Sequence, residues 1–416
     1  MEAAGSASRA QALAGTKVPG ADPAALTGRY RQARDAVIDA PDLAAAERRS
    51  ALTDLTDRWV RDLFGTAATP GVAVVAVGGY GRRELVPGSD LDILLVHDGS
   101  RPDDAVATMA DSLFYPLWDS KVPLDHSVRS LDEAARVAGD DYKVALGLLD
   151  ARHVAGDPIV SSAIAERVTA DWRRLAPKRL PQLREAVTDR AQRSGELAYL
   201  IEPDLVESYG GLRDTIVLRA VAASWVADRP HSAAIEESRG WLLTVRDALH
   251  RTTRRRSDRL LLQEQDEVAD LLGLLDADAL LRRVSEAGRA IAHASDVTWR
   301  SVERALAARS RRPRLRRKPT RRPLAEGVVE HEREVVLARE ADIADDLGLA
   351  MRASAAAAQA GLPLAVSTME RLVAETPEIP VPWPASIRED FVRLLGAGAD
   401  SVSVWEDLEA AGMVVR

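Results

Sequence analysis

The residues best equipped for chemistry lie between Val77 and Val96, where the sequence reads VGGYGRRELVPGSDLDILLV. Asp90 and Asp92 stand two positions apart at the head of the apolar run Leu91 to Val96. On a strand, residues i and i+2 face the same way, so both carboxylates project from one side, about 7 Å apart at their Cα atoms, while Leu91 and Ile93 turn to a core. Carboxylates that close repel each other and hold protons unless a cation neutralises them. With no cysteine in the chain, the donor set is hard oxygen. It suits Mg2+ or Mn2+ rather than zinc, with a nucleoside triphosphate supplying the remaining ligands. Two such ions about 4 Å apart activate an attacking oxygen and stabilise a leaving one in an in-line displacement.

Gly78, Gly79 and Gly81 precede this pair, and Arg82 and Arg83 follow the glycines directly. Glycines let backbone N–H groups approach a phosphate with no Cβ in the way, and arginine is a natural charge partner for it. Other phosphate motifs do not fit. A Walker A loop needs Lys-Ser or Lys-Thr after its glycines, and a dinucleotide fingerprint needs a third glycine opening a helix. An Asp-x-Asp pair also suits a glycosyltransferase metal site, but that reading leaves the glycine turn unexplained.

The elements that must hold these residues follow from the spacing of apolar positions. Val72 to Val77 and Leu91 to Val96 are continuous apolar runs bounded by turn residues, as in buried strands. Residues 103–119 carry Val106, Met109, Leu113 and Leu117 at helical spacing, and Val122 to Arg129 reads as a third strand. Residues 26–64 read as amphipathic helix. Beyond residue 131 the pattern is helical through Trp299, broken only near Ile201 to Arg213 by Pro203 and Gly210-Gly211. Nine of the fourteen residues from Arg309 to Arg322 are Arg or Lys, with two prolines among them, which marks a linker. Gly327 to Leu337 reads as a hairpin and Ala341 to Val415 as several helices. The expected organisation is a disordered lead-in over 1–25, a core over 26–155, a helical domain over 156–305, a linker over 306–323 and a mainly helical segment over 324–416.

Composition narrows the partners. The 416 residues carry 56 basic and 64 acidic side chains, a net charge of −8, so no global field draws nucleic acid or an anionic membrane surface. The apolar runs fall short of the 18 residues of a membrane span, and the amino terminus lacks the basic and apolar regions of a secretion signal. Together with the absence of cysteine, this leads us to expect a cytoplasmic protein with neither nucleic-acid nor membrane partners.

A glycine pair followed eleven residues later by an apolar-flanked Asp-x-Asp resembles the defining motif of the DNA polymerase beta nucleotidyltransferases. The longer GGYGRRELVPGSDLD resembles more narrowly the amino-terminal half of the PII uridylyltransferases. LWDSKVPLDHSVR (117–129), EPDLVESYGGLRD (202–214) and VRDALHRTTRRRSDRLLL (245–262) support that narrower match. Glutamine synthetase adenylyltransferases share a similar first motif but not the second and third of these segments. The resemblance implies an α+β, polymerase-beta-like core, a small mixed sheet with helices, followed by predominantly helical domains. It implies transfer of a nucleoside monophosphate from UTP, with ATP an open alternative, to a tyrosine hydroxyl of the PII signalling protein. It also adds Ser89 to the nucleotide-binding set, and gives Asp125 as a third metal ligand, the other reading of Asp125 being a solvated carboxylate at a strand end. Arg213 and Asp214 are expected to face the cleft, against the alternative of an ordinary capped helix entry. Family members continue into a His-Asp hydrolase domain and two ACT domains, neither legible here; the His97-Asp98 dipeptide reads as a turn. The competing function class is a non-catalytic nucleotide- or partner-binding module of the same fold.

Overall fold

Asp22 opens the first helix by accepting a hydrogen bond from the Ala24 amide, and Pro23 fits the first helical position because its missing N–H would have no partner there. The computed structural model describes residues 22–65, 69–227, 233–310 and 321–414. Most of the expected disordered lead-in lies outside them, but residues 23–25 are already helical, a correction owed to that cap. Helices α1 (Pro23–Asp39) and α2 (Ala45–Phe64) lead into strand β1 (Val72–Ala76). A single helical turn α3 (Gly78–Gly81) follows where an open glycine turn was expected, and then β2 (Leu91–His97), α4 (Asp103–Asp119) and β3 (Leu124–Ser130).

The sheet order is β3-β2-β1-β4. β1 pairs antiparallel with β2, while β2 pairs parallel with β3, in register from Leu91↔Leu124 to His97↔Ser130. The parallel pair needs a crossover, and α4 supplies it. β4 (Arg152–Gly156) pairs antiparallel with β1 and corrects the expectation of unbroken helix after residue 131. At five residues, with only Val154 and Ala155 buried, β4 is too short to show a period.

β1 and β2 read as unbroken apolar runs because both faces of the sheet are covered. Val72, Val74, Ala76, Leu91, Ile93 and Leu95 pack with α1, α2 and α4 on one face. On the other face, Ala73, Val75, Leu94 and Val96 share a core with α5 (Leu131–Asp140), α6 (Tyr142–Leu149), α7 (Pro158–Ser194) and α8 (Leu212–Ala223). Helices α9 (Ala233–Thr253), α10 (Leu262–Leu271) and α11 (Ala277–Ser310) complete this part, with their own core around Leu205, Leu242, Leu249 and Ile291. The residues up to Leu306 thus form one compact unit, because the second face of the sheet is buried by the helices that follow it.

From Ala307 a second unit begins. Part of the expected linker, residues 311–320, lies outside the described residues. The expected hairpin is a three-stranded antiparallel sheet of β5 (Arg322–Ala325), β6 (Val328–His331) and β7 (Glu334–Leu337), turned at Gly327 with φ +72°. Helices α12 (Leu349–Ala360), α13 (Val366–Glu375), α14 (Ala385–Leu395) and α15 (Ala399–Ala410) follow, with a core of Val328, Val335, Leu349 and Leu372.

Candidate active site

Alternation along β2 sends Leu91, Ile93 and Leu95 to one face of the sheet and Asp92, Leu94 and Val96 to the other. The second face is roofed by helices, but the roof stops short of the start of β2. Asp92 therefore stands where a core position opens into a cleft. No hydrogen bond or ion pair among the described residues reaches its carboxylate. Burial, then the charges of Asp90 and Asp125, push its pKa up to about 6, against the opposing pull of Arg82 and Arg256. Asp90 sits one step outward, its side chain 40% exposed, and accepts a 2.6 Å hydrogen bond from Arg256 Nη2.

The parallel register sets Asp125 directly opposite Asp92, so the two side chains leave the same face of the sheet. His126 points the other way, against Phe114 and Trp118, with ring centroids 4.4 and 5.0 Å away, which is a packing role. Among the described residues no three acidic or histidine side chains converge tightly enough to hold a metal ion unaided. A cation here would complete its shell with phosphate and water oxygens, as Mg2+ commonly does. The chemistry of the donor set fits: three carboxylates share one edge, and the middle one is half-buried, without an ion-pair partner among the described residues, its pKa pushed up by burial and by its neighbours' charge.

α3 faces this edge. Gly78 has φ +55°, and a Cβ there would lie 2.5 Å from Asp92 Oδ2, so glycine is required for the carboxylate to abut the backbone. Gly79 is open toward the cleft, the nearest atom to a Cβ being Arg82 Nη2 at 3.9 Å. Gly81 has a different task from the phosphate contact expected of it: a Cβ there would lie 2.3 Å from the Asp150 carbonyl oxygen. The turn is anchored from behind. Tyr80, fully buried, donates to Asp57 Oδ1 at 2.7 Å, and Arg152 of β4 grips the same carboxylate at 2.7 Å. Arg83 joins this anchor by pairing with Asp54 and Asp57, so it too is placed away from the cleft.

The cleft has a volume of about 750 Å³ and is walled by α3 and β2 on one side and by α6, α7, α8 and α9 on the others. Gly78, Gly79, Arg82, Ser89, Asp90, Asp92 and Arg213 all line it; Gly81, Arg83, Asp125 and Asp214 do not. Arg82 is ion-paired with Glu84 at 2.7 Å and Asp150 at 2.8 Å, so much of its charge is spent inside the protein. The Ser89 hydroxyl accepts from the Val86 amide at 3.0 Å and closes the turn that delivers Asp90. Arg213 faces the cleft but pairs with Glu207. Asp214 is fully buried, bonded to Arg190 and to the Gly210 amide at 2.8 Å, so it braces the helix entry rather than facing the cleft.

Sequence reasoning missed Lys143 at the start of α6 and Arg193 near the end of α7, two exposed cations lining the cleft with no carboxylate partner among the described residues. Arg193 follows Arg190 by one helical turn, a signal visible in the sequence but indistinguishable there from an ordinary solvated face. Lys143 had none, since only the packing of α6 among its neighbouring helices places it at the cleft wall.

A mixed sheet with a glycine turn facing carboxylates at the head of the adjacent strand, under a helical roof, defines a polymerase-beta-like nucleotidyltransferase core. The family model described as GlnD PII-uridylyltransferase matches residues 179–299. A bifunctional uridylyltransferase/uridylyl-removing enzyme of Streptomyces coelicolor is 56% identical over 401 residues, covering 94% of this chain and 48% of that protein. Proteins with the same description from Mycobacterium tuberculosis and Corynebacterium glutamicum are 42% and 35% identical, covering 88% and 87% of this chain and 46% and 51% of their own lengths. The chain belongs to the PII-uridylyltransferase family, matching its amino-terminal half. It spans about half the length of the curated relatives it matches.

Proposed function

We propose that this chain transfers UMP from UTP to a tyrosine hydroxyl of a PII signalling protein in the cytoplasm, with release of pyrophosphate. The observation that carries this reading is Asp92: a half-buried carboxylate without an ion-pair partner, flanked by Asp90 and Asp125, abutting Gly78 and opening into the cleft. Asp90 and Asp92 would hold Mg2+ or Mn2+, with phosphate and water oxygens completing the shell and Asp125 adding negative charge beside them. The cations would offset phosphate charge and make the attacking and leaving oxygens easier to activate.

The rest falls to the chain's own side chains. Gly79 leaves space for the polyphosphate beside α3, and Lys143 and Arg193 supply cationic charge that no carboxylate among the described residues pairs with. Arg82, held rigid by Glu84 and Asp150, is a preorganised donor at the same wall. As the bond from the tyrosine oxygen to the α-phosphorus forms, the hydroxyl proton passes to water, the bond between the α-phosphorus and the bridging oxygen breaks, and pyrophosphate leaves.

The test is incubation of the chain with Mg2+, a PII protein and either labelled UTP or labelled ATP, the label being located by mass spectrometry. Uridylylated tyrosine is expected. Adenylylation alone would replace the donor, and nucleotide binding without transfer would replace the enzyme by a binding module of the same fold.

A further inference from the structure

The segment between Arg246 and Asp258 reaches the candidate site by a route the transfer reaction does not explain. His250, on α9, is buried with its side chain fully covered. Its Nδ1 lies 3.0 Å from the Gly88 amide, and its Nε2 lies 3.0 Å from Asp258 Oδ1. A backbone N–H can only donate, so Nδ1 carries no proton, and Nε2 holds the one that is shared with the carboxylate. Asp258 is fixed in turn by Arg246, which donates from Nε at 2.6 Å and lines the cleft. Burial works to raise the Asp258 pKa, but the hydrogen bond from His250 and the Arg246 guanidinium hold it well below the usual carboxylate range.

At the other end, Gly88 lies between Pro87 and Ser89 in the turn that ends at Asp90. A Cβ on Gly88 would meet His250 Nδ1 at 2.6 Å and Cε1 at 2.9 Å, and no other group so closely. Glycine is therefore needed there because of the histidine. The turn is short and stiff, with the Ser89 amide bonded to the Val86 carbonyl at 2.9 Å, so a displacement at Gly88 is carried to Asp90 two residues on.

We infer that His250 is a positioning residue for the catalytic edge: through its bond to the Gly88 amide it fixes the turn that presents Asp90, and Asp258 with Arg246 fixes the histidine. The helical part of the unit thus sets the geometry of a ligand carried by the sheet. The effect on cation affinity rests on the metal-dependent reading; the hydrogen-bonded path does not.

The test uses the full chain and two readouts, hydrogen exchange of the peptide spanning residues 85–91 and calorimetric titration with Mn2+ alone. His250→Ala should speed exchange in that peptide and weaken Mn2+ binding about tenfold, a change of roughly 1.4 kcal/mol. His250→Asn places an amide oxygen close to the position of Nδ1 and should restore both readouts to within about threefold of the parent. Gly88→Ala should weaken Mn2+ binding in the parent but cost little further in the His250→Ala background, because the clashing ring has gone. Unchanged exchange in His250→Ala, failure of asparagine to rescue, or an equal cost of Gly88→Ala in both backgrounds would each overturn the inference. Asp90→Asn separates the two ideas. If it leaves Mn2+ affinity unaltered, the metal reading fails, and the exchange data still decide whether His250 holds the turn.

Discussion

Two polar, glycine-bearing segments, Val77 to Val96 and Glu202 to Asp214, resemble the same family, yet the fold uses their aspartates in opposite ways. Asp92 sits at the open end of a buried strand with no hydrogen bond or ion pair to its carboxylate among the described residues, and burial raises its pKa. Asp214 sits at the entry of α8 with both oxygens engaged, one by Arg190 and one by the Gly210 amide. The first arrangement stores unfavourable electrostatics that a cation can relieve. The second is already satisfied, so it can only hold structure. An acidic residue beside a glycine pair is thus no guide to chemistry until its partners are known.

The largest effect that would break this contrast is on transfer. Asp92→Asn is expected to lower the rate of nucleotide transfer by about a thousandfold or more, since one lost ligand removes several kcal/mol of transition-state stabilisation, while thermal unfolding remains cooperative. Activity within tenfold of the parent, measured with labelled nucleotide, would remove Asp92 from the site. Asp214→Ala should do the reverse. It leaves Arg190 buried without its carboxylate and should cost roughly 3–5 kcal/mol in urea unfolding. An unfolding midpoint equal to that of the parent would show that the pair carries no structural load.

A smaller effect is expected at the glycine turn. Gly79→Val puts a branched side chain into space that is open in the structure, and should raise the KM for the nucleotide about ten- to a hundredfold with little change in Tm. Equal nucleotide affinity by calorimetry would reduce the turn to a connection.

The smallest effect concerns pH. Asp92 has its pKa raised from 3.8 to about 6 in the fold, so the native state favours its protonated form. Its stabilising contribution is full below the unfolded pKa and is lost as pH rises through about 6. In metal-free protein, Asp92→Asn should therefore gain about 1–2 kcal/mol relative to the parent between pH 4 and pH 7. Parallel stability curves for the two proteins across that window would show that the carboxylate is not strained. Added Mn2+ should stabilise the parent and not the variant.

The sequence by itself determined the sheet's two inner strands, the crossover helix and the Asp90–Asp92 pair, because each is a local matter. A run of apolar residues buried on both faces, a helical period and an i, i+2 pair on a strand are all written in neighbouring letters. The strand bearing Asp125 was also legible, but the side on which Asp125 leaves it was set only by the register of β3 against β2. Tertiary structure decided the rest. β4 is five residues long and gains its identity only by pairing with β1. Gly81 and Arg83 look like their neighbours Gly79 and Arg82, but Asp57 and the distant pair Asp150 and Arg152 turn them to the back of the site. Lys143, Arg193 and His250 acquire their positions from helix packing alone. Which charges are satisfied and which are left open depends on groups that meet across the fold, and sequence spacing has no access to that.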